Sequence, residues 1–212
     1  MQEMIRTAQN YLYEFLNQAE FDQHEIDYRY EHSLRVANIG LELAEHENAD
    51  KKVVVMGCLL HDLSKFECEE NIEHGRLSAE FAKTFLQTLK LSEKEIADIC
   101  YSIASHVDGK AGYEYDDIIE AKIVTDADNI DRYSSSKILQ AKLWAIRDGK
   151  QAVTKEIDYL ESRVEKMKSL LEKNVLETKS GNKFFKEKLK LNIHFYSSLV
   201  EDLKMTKEPK WM

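Results

Sequence analysis

Residues 51–63 read KKVVVMGCLLHDL. The run from Val53 to Leu60 has no polar face, so a helix here is apolar around most of its circumference and belongs at the centre of a bundle. Asp50 stands where such a helix needs its N-cap. The run then meets an imidazole and a carboxylate, His61-Asp62. At the end of a buried helix both must be paired or metal-bound, because an isolated buried carboxylate is costly.

Outward from this segment, apolar residues recur at spacings of three and four, and period-two alternation is scarce. Ile5, Ala8, Leu12, Phe15, Leu16 and Ala19 predict a first helix, and Val36, Ile39, Leu43 and Ala44 a second over about 28–46. Leu77, Phe81, Phe85 and Leu89 mark a fourth. Ser92 with Glu95 forms a capping box for a fifth, through Ile96, Ile99 and Ile103. Residues 118–130 and 138–146 read as a sixth and a seventh. After Gly149 the texture changes to a long amphipathic stripe, Ile157, Leu160, Val164, Met167 and Leu171. A break expected at Ser180-Gly181-Asn182 leads into Phe184, Phe185, Leu191, Phe195, Leu199 and Leu203. The tail after Met205 is expected to fray, with Trp211 free or caught in a packing contact. The expectation is an all-α chain, with a helical core over 1–150 and a C-terminal helical hairpin over 151–212 packed on the same domain.

Composition narrows the function classes. Seven glycines and one proline in 212 residues are too few for a fold of many short hairpins. A net charge of −9 disfavours nucleic acid and anionic membranes as partners. No apolar run approaches the roughly 20 residues that cross a bilayer. The opening MQEMIRTAQNYLYEF lacks a signal peptide's apolar core, and Cys58, Cys68 and Cys100 are too scattered for a disulfide framework. Cys58 and Cys100 read as buried thiols, and a reducing cytoplasm is the expected setting.

Two further groups join His61 and Asp62. His32 lies on the second predicted helix between Arg29 and Arg35, and Asp128 lies inside the apolar run AKIVTDADNI. Two imidazoles and two carboxylates suit a divalent ion such as Mn, Fe, Co, Ni, Zn or Mg. Four protein ligands on an octahedral ion leave two positions for water and a substrate oxygen, the geometry of a hydrolytic site.

The order His32, His61-Asp62, Asp128 resembles the HD superfamily of metal-dependent phosphohydrolases. HSLRVANIGLELAE is similar to that family's first-histidine helix, CLLHDLSKF to its His-Asp helix and KIVTDADNID to its Ala-Asp helix. EHGRLSAEFAKTFL, SIASHVDG and LLEKNVLETKSGNKF extend the likeness towards small bacterial-type HD hydrolases. The resemblance implies a compact HD helical bundle, metal ligation by His32, His61, Asp62 and Asp128, and a nucleotide or other small phosphorylated substrate. One departure touches substrate contacts: Asn129-Ile130 stands where relatives often carry Arg-Leu.

His74 opens the fourth predicted helix and His106 closes the fifth. They are either polar helix ends or, as some HD proteins imply, ligands of a second ion bridged by Asp62. Lys65 is placed by helical continuation on the face of His61 and Asp62. It is either a solvated lysine or a partner for a substrate phosphate, with Asp62 and Lys65 then forming the catalytic pair. Asp126 and Asp131 either cap locally or orient a ligand histidine. Ser134-Ser135-Ser136 either lines a pocket or starts a helix, and His24, His46 and His194 read as surface residues. Two rivals to the phosphohydrolase stand: a dinuclear-iron HD oxygenase, and a non-catalytic HD module that binds a ligand or partner.

Overall fold

Asp50 caps the apolar run as the sequence requires, accepting from the amides of Lys52 at 2.8 Å and Val53 at 3.3 Å. Helix α3 (Lys51–Leu60) therefore starts beside a polar surface and runs inward, and every residue from Val53 to Leu60 is buried. In this computed structural model the described residues are 1–68, 72–147 and 156–207. Among them lie nine helices and no strand, so the chain is all-α.

The other helices are α1 (Gln2–Leu16), α2 (Gln23–Glu47), α4 (His74–Leu86), α5 (Glu93–Ser105), α6 (Ile119–Asp131), α7 (Ser135–Arg147), α8 (Ile157–Leu171) and α9 (Lys179–Lys207). Helix α2 begins earlier than the apolar stripe indicates, because Asp22 accepts from the His24 amide at 2.7 Å and caps it. It ends at Asn48, which takes the left-handed conformation at φ 55°. The Ser92–Glu95 capping box forms as read, opening α5. Glu120 on α6 accepts from the Asp50 amide at 2.8 Å, which ties the start of α6 to that of α3.

The chain divides into two compact units, Met1–Asp131 with α1–α6 and Arg132–Met212 with α7–α9. The division falls after Asp131, ahead of the change in texture near 150, so α7 groups with the second unit. In the first unit α3 is the axis, packed against α1, α2, α4, α5 and α6. Leu12, Leu16, Leu43, Met56, Leu59, Leu60, Ile99, Ile103, Ile123 and Ile130 fill the space between them. The α2–α3 contact is close: a methyl on Gly40 would stand 2.6 Å from Cys58 Sγ and 3.0 Å from Val54 Cγ1. Only a residue without a side chain lets these two backbones approach so far.

In the second unit α8 and α9 pair through Leu160, Val164 and Met167 on one side and Phe185, Leu189, Tyr196 and Val200 on the other. The break expected at Ser180-Gly181-Asn182 is not one. The connection runs over 172–178, and Ser180-Gly181-Asn182 is the first turn of α9. Thr178 caps that turn by accepting from the Gly181 amide at 2.9 Å, and Asn182 Nδ2 donates back to Leu176 O at 2.8 Å. Turn-forming residues are thus used here to start a helix. Gly149 and Trp211, singled out in the sequence, lie outside the described residues.

Candidate metal centre

The first unit brings six ionisable side chains to one buried point. His32 comes from the middle of α2, His61 from the residue that ends α3, and Asp62 from the turn after it. His74 is the first residue of α4, His106 follows the last residue of α5, and Asp128 lies in α6. None is more than 6 % exposed. All six residues nominated from the sequence as metal ligands are therefore neighbours.

Their spacing is compact enough for a shared ion. His32 Nε2 is 3.2 Å from His61 Nε2 and 3.3 Å from Asp128 Oδ1. Asp62 Oδ2 is 3.7 Å from each of those two imidazole nitrogens, and His61 Nε2 is 3.9 Å from Asp128 Oδ1. Around an octahedral ion with bonds of about 2.1 Å, adjacent ligand atoms lie roughly 3.0 Å apart and opposite ones roughly 4.2 Å. The other oxygen of Asp62 faces a second set. His74 Nε2 is 3.1 Å from Asp62 Oδ1 and 3.2 Å from His106 Nε2, with His106 Nε2 at 4.0 Å from the same oxygen. His32-His61-Asp62, His61-His106-Asp128 and Asp62-His74-His106 are each compact enough to hold an ion.

The far side of each ring explains why these nitrogens are available. His61 Nδ1 donates to Cys58 O and His106 Nδ1 donates to Ile103 O, both at 2.7 Å. A carbonyl only accepts, so in the neutral rings the proton sits on Nδ1 and Nε2 is a bare lone pair. His32 Nδ1 donates to Asp131 Oδ2 at 2.8 Å. Lone pairs of three rings are thereby aimed into one space, an arrangement that repels itself unless a proton or a cation lies between.

The electrostatics agree. Burial lowers the His61 pKa, and burial with the nearby His61 lowers His106 to about 4, so both rings are neutral at physiological pH. Burial would lower His32 as well, but hydrogen bonds to Asp128 and Asp131 outweigh it and hold that ring at about 9. Burial also works against ionising Asp62, yet His61, His74, His32 and Arg29 keep its pKa well below the usual carboxylate range. A proton on His32 thus offsets the two carboxylates beside it, and a divalent ion held by these groups would take its place.

Lys65 reaches the site by a different route from helical continuation. Helix α3 stops at Leu60, and residues 61–67 form turns in which Lys65 N donates to Asp62 O at 3.1 Å. Its Nζ lies 3.3 and 3.4 Å from the two ring nitrogens of His74. Ser64 fixes this turn on α4, taking Ser78 Oγ at 3.0 Å on its amide and donating its hydroxyl to His74 O at 2.7 Å. Asp131 takes the orienting role rather than a capping one, with Arg35 Nε bound to its other oxygen at 2.9 Å. Asp126 is fully buried, and Ser134 accepts from the Lys137 amide at 3.2 Å at the start of α7. Arg29 is the residue that sequence reasoning left unassigned: its Nη1 lies 3.1 Å from Asp62 Oδ2. Its position three residues before His32, mirrored by Arg35 three after, was the available signal.

This constellation has a family. Residues 29–133, which run from Arg29 past Asp131, match the family model for the HD domain. The chain belongs to the HD superfamily. Solved structures show the HD fold along nearly its whole length. An HD-superfamily hydrolase from Bacillus thuringiensis is 18 % identical with a TM-score of 0.67, over 99 % of both chains. YpgQ of Bacillus subtilis, solved in complex with ADP, is 18 % identical with a TM-score of 0.66, over 95 % of both chains. The Lin1889 protein of Listeria innocua is 20 % identical with a TM-score of 0.64, over 96 % of this chain and 97 % of its own. Comparison with curated proteins gave no match. No helix among the described residues is long and apolar enough to cross a membrane.

Proposed function

We propose that this HD protein is a divalent-metal-dependent phosphohydrolase acting on a nucleotide or another small phosphate ester or anhydride. The observation that carries this reading is the set of three imidazoles whose Nδ1 atoms are occupied and whose Nε2 atoms converge on two buried carboxylates. His32, His61, Asp62 and Asp128 would hold one ion, and Asp62, His74 and His106 are arranged for a second. A bound divalent ion supplies an acidified water and polarises a phosphoryl oxygen.

The chain's own residues supply the rest. Arg29 offers a guanidinium beside Asp62, placed to take a phosphoryl oxygen when the substrate enters. Lys65, half-buried beside His74, offers a compact ammonium for charge that develops on phosphorus oxygens. The turn that carries it is stapled to α4 by Ser64 and Ser78, so its backbone is held beside His74. ADP bound to YpgQ, a protein with this fold, supports a nucleotide as ligand.

The division of Asp62 between two ligand sets favours a dinuclear centre, which also suits an oxygen-dependent cleavage. Oxygen uptake by iron-loaded protein separates the two readings. The decisive experiment is metal analysis of protein purified without added metal, then phosphate release across nucleotides, phosphodiesters and sugar phosphates. Wild type is expected to release phosphate only when metal-loaded. A His61→Ala, Asp62→Ala double variant is expected to lose both metal and activity. Full metal occupancy in that variant would sink the assignment.

A further inference from the structure

Beyond His106 the chain builds a second feature that the metal centre does not use. Residues 106–118 fold back over the first turn of α4, held by Arg76 Nη2 on Asp108 at 2.9 Å. Gly112, at φ 85°, lies against the Arg76 side chain in a conformation that other residues rarely adopt. Beside this turn opens a cleft of about 960 Å³, a volume in the range of small-molecule sites. Tyr101, Tyr113 and Tyr115 line it. Tyr101 and Tyr115 stack with centroids 4.7 Å apart, and the Tyr115 hydroxyl donates to Asp98 at 2.7 Å, so this wall is fixed before anything binds. Tyr113 stands edge-on to both at 6.3 Å and is 51 % exposed, an aromatic face turned to solvent.

Charge says which part of a ligand fits. Glu114 and Asp116 set two carboxylates against the single ammonium of Lys110, which repels phosphate and offers acceptors to ring amines. The rim of the cleft is close to the metal centre along the chain. Gly109 on the rim is three residues beyond His106, so their Cα atoms are at most about 11 Å apart. The turn is tighter than that limit, since Gly109 N donates to Ser105 O at 2.9 Å.

We infer that this cleft receives the nucleobase of the substrate, stacked on Tyr113, while the phosphate end lies towards His74 and His106. The inference rests on the phosphohydrolase reading above and narrows its substrate class to nucleotides. Base–aromatic stacking is sequence-tolerant, and the carboxylates add a preference for bases with exocyclic amines.

Isothermal titration of adenosine, adenosine 5′-monophosphate and ribose 5-phosphate, with metal-free and magnesium-loaded protein, tests it. Tyr113→Ala is expected to weaken adenosine and the monophosphate alike, by about fivefold to a hundredfold, and to leave ribose 5-phosphate unchanged. Tyr113→Phe, which keeps the ring, is expected to restore binding, and circular dichroism checks that the exposed substitution leaves the helices intact. Equal affinity for adenosine in wild type and Tyr113→Ala overturns the inference, as does no binding of adenosine to wild type. Tyr113-dependent binding of adenosine without phosphate release from any nucleotide supports the cleft and sinks the hydrolase reading.

Discussion

Replacing Asp131 by Asn tests whether the site is built around its ligands or only at them. Asp131 is 1 % exposed and touches the centre only through His32, whose Nδ1 it accepts at 2.8 Å, while Arg35 Nε holds its other oxygen at 2.9 Å. Asparagine has nearly the same shape, so packing is preserved. One acceptor, however, becomes a donor, and the amide can then give a proton to His32 Nδ1. That moves the imidazole proton to Nε2 and blocks the lone pair a metal needs, the same tautomer error that disables a catalytic histidine whose carboxylate partner is amidated. Loss of such an outer partner costs about 10–100-fold in metal affinity. That is about 1.4–2.8 kcal/mol at 1.4 kcal/mol per decade. Competition of Mn or Zn against a chelator reads the change directly, with stoichiometry as the control. Arg35→Ala, which leaves the His32–Asp131 bond in place, should cost less. A dissociation constant for Asp131→Asn within twofold of wild type would refute the argument.

Three other predictions use different parts of the molecule. Lys65→Ala should keep its metal and lose about a hundredfold or more in phosphate release, because an ammonium facing developing charge contributes to the transition state alone; unchanged turnover at equal occupancy would remove Lys65 from the site. Gly40→Ala should lower stability by about 1–2 kcal/mol net, since overpacking outweighs the gain in helix propensity, and a calorimetric scan should show Tm fall by a few degrees. Adding Cys58→Ala, which vacates the atom 2.6 Å from the new methyl, should give a double variant more stable than the two single changes sum to. Glu95 binds Lys52 and the Ser92 backbone and hydroxyl, which hold its carboxyl at about 2 against an ordinary 4.5. A depressed folded pKa means the contribution is full above about pH 4.5 and is lost as pH falls towards 2, so the deficit of Glu95→Gln relative to wild type should shrink across that window.

The sequence by itself determined the all-α class and the core. The apolar periodicity and the caps at Asp50 and Ser92 are local, and α3 and α5 form where those signals place them. It also named the residues that meet at the centre: His32, His61, Asp62 and Asp128 from their place in or at the ends of apolar helices, and His74 and His106 through the resemblance to the HD superfamily. Local signals erred where one residue type serves opposite ends of an element: Ser180-Gly181-Asn182 reads as a break, yet Thr178 and Asn182 make it a helix start. Lys65 reached His74 through a turn that continuous helical spacing does not describe. Only the tertiary structure decided which nitrogen of His32, His61 and His106 faces the centre, because that depends on the carbonyls of Cys58 and Ile103 and on the carboxylate of Asp131, 99 residues from His32 in sequence. It alone turned one oxygen of Asp62 towards His61 and the other towards His74, and set Arg29 against the first. Hydrogen-bond partners across helices follow from how the helices pack, and packing is the part of the physics that periodicity does not carry.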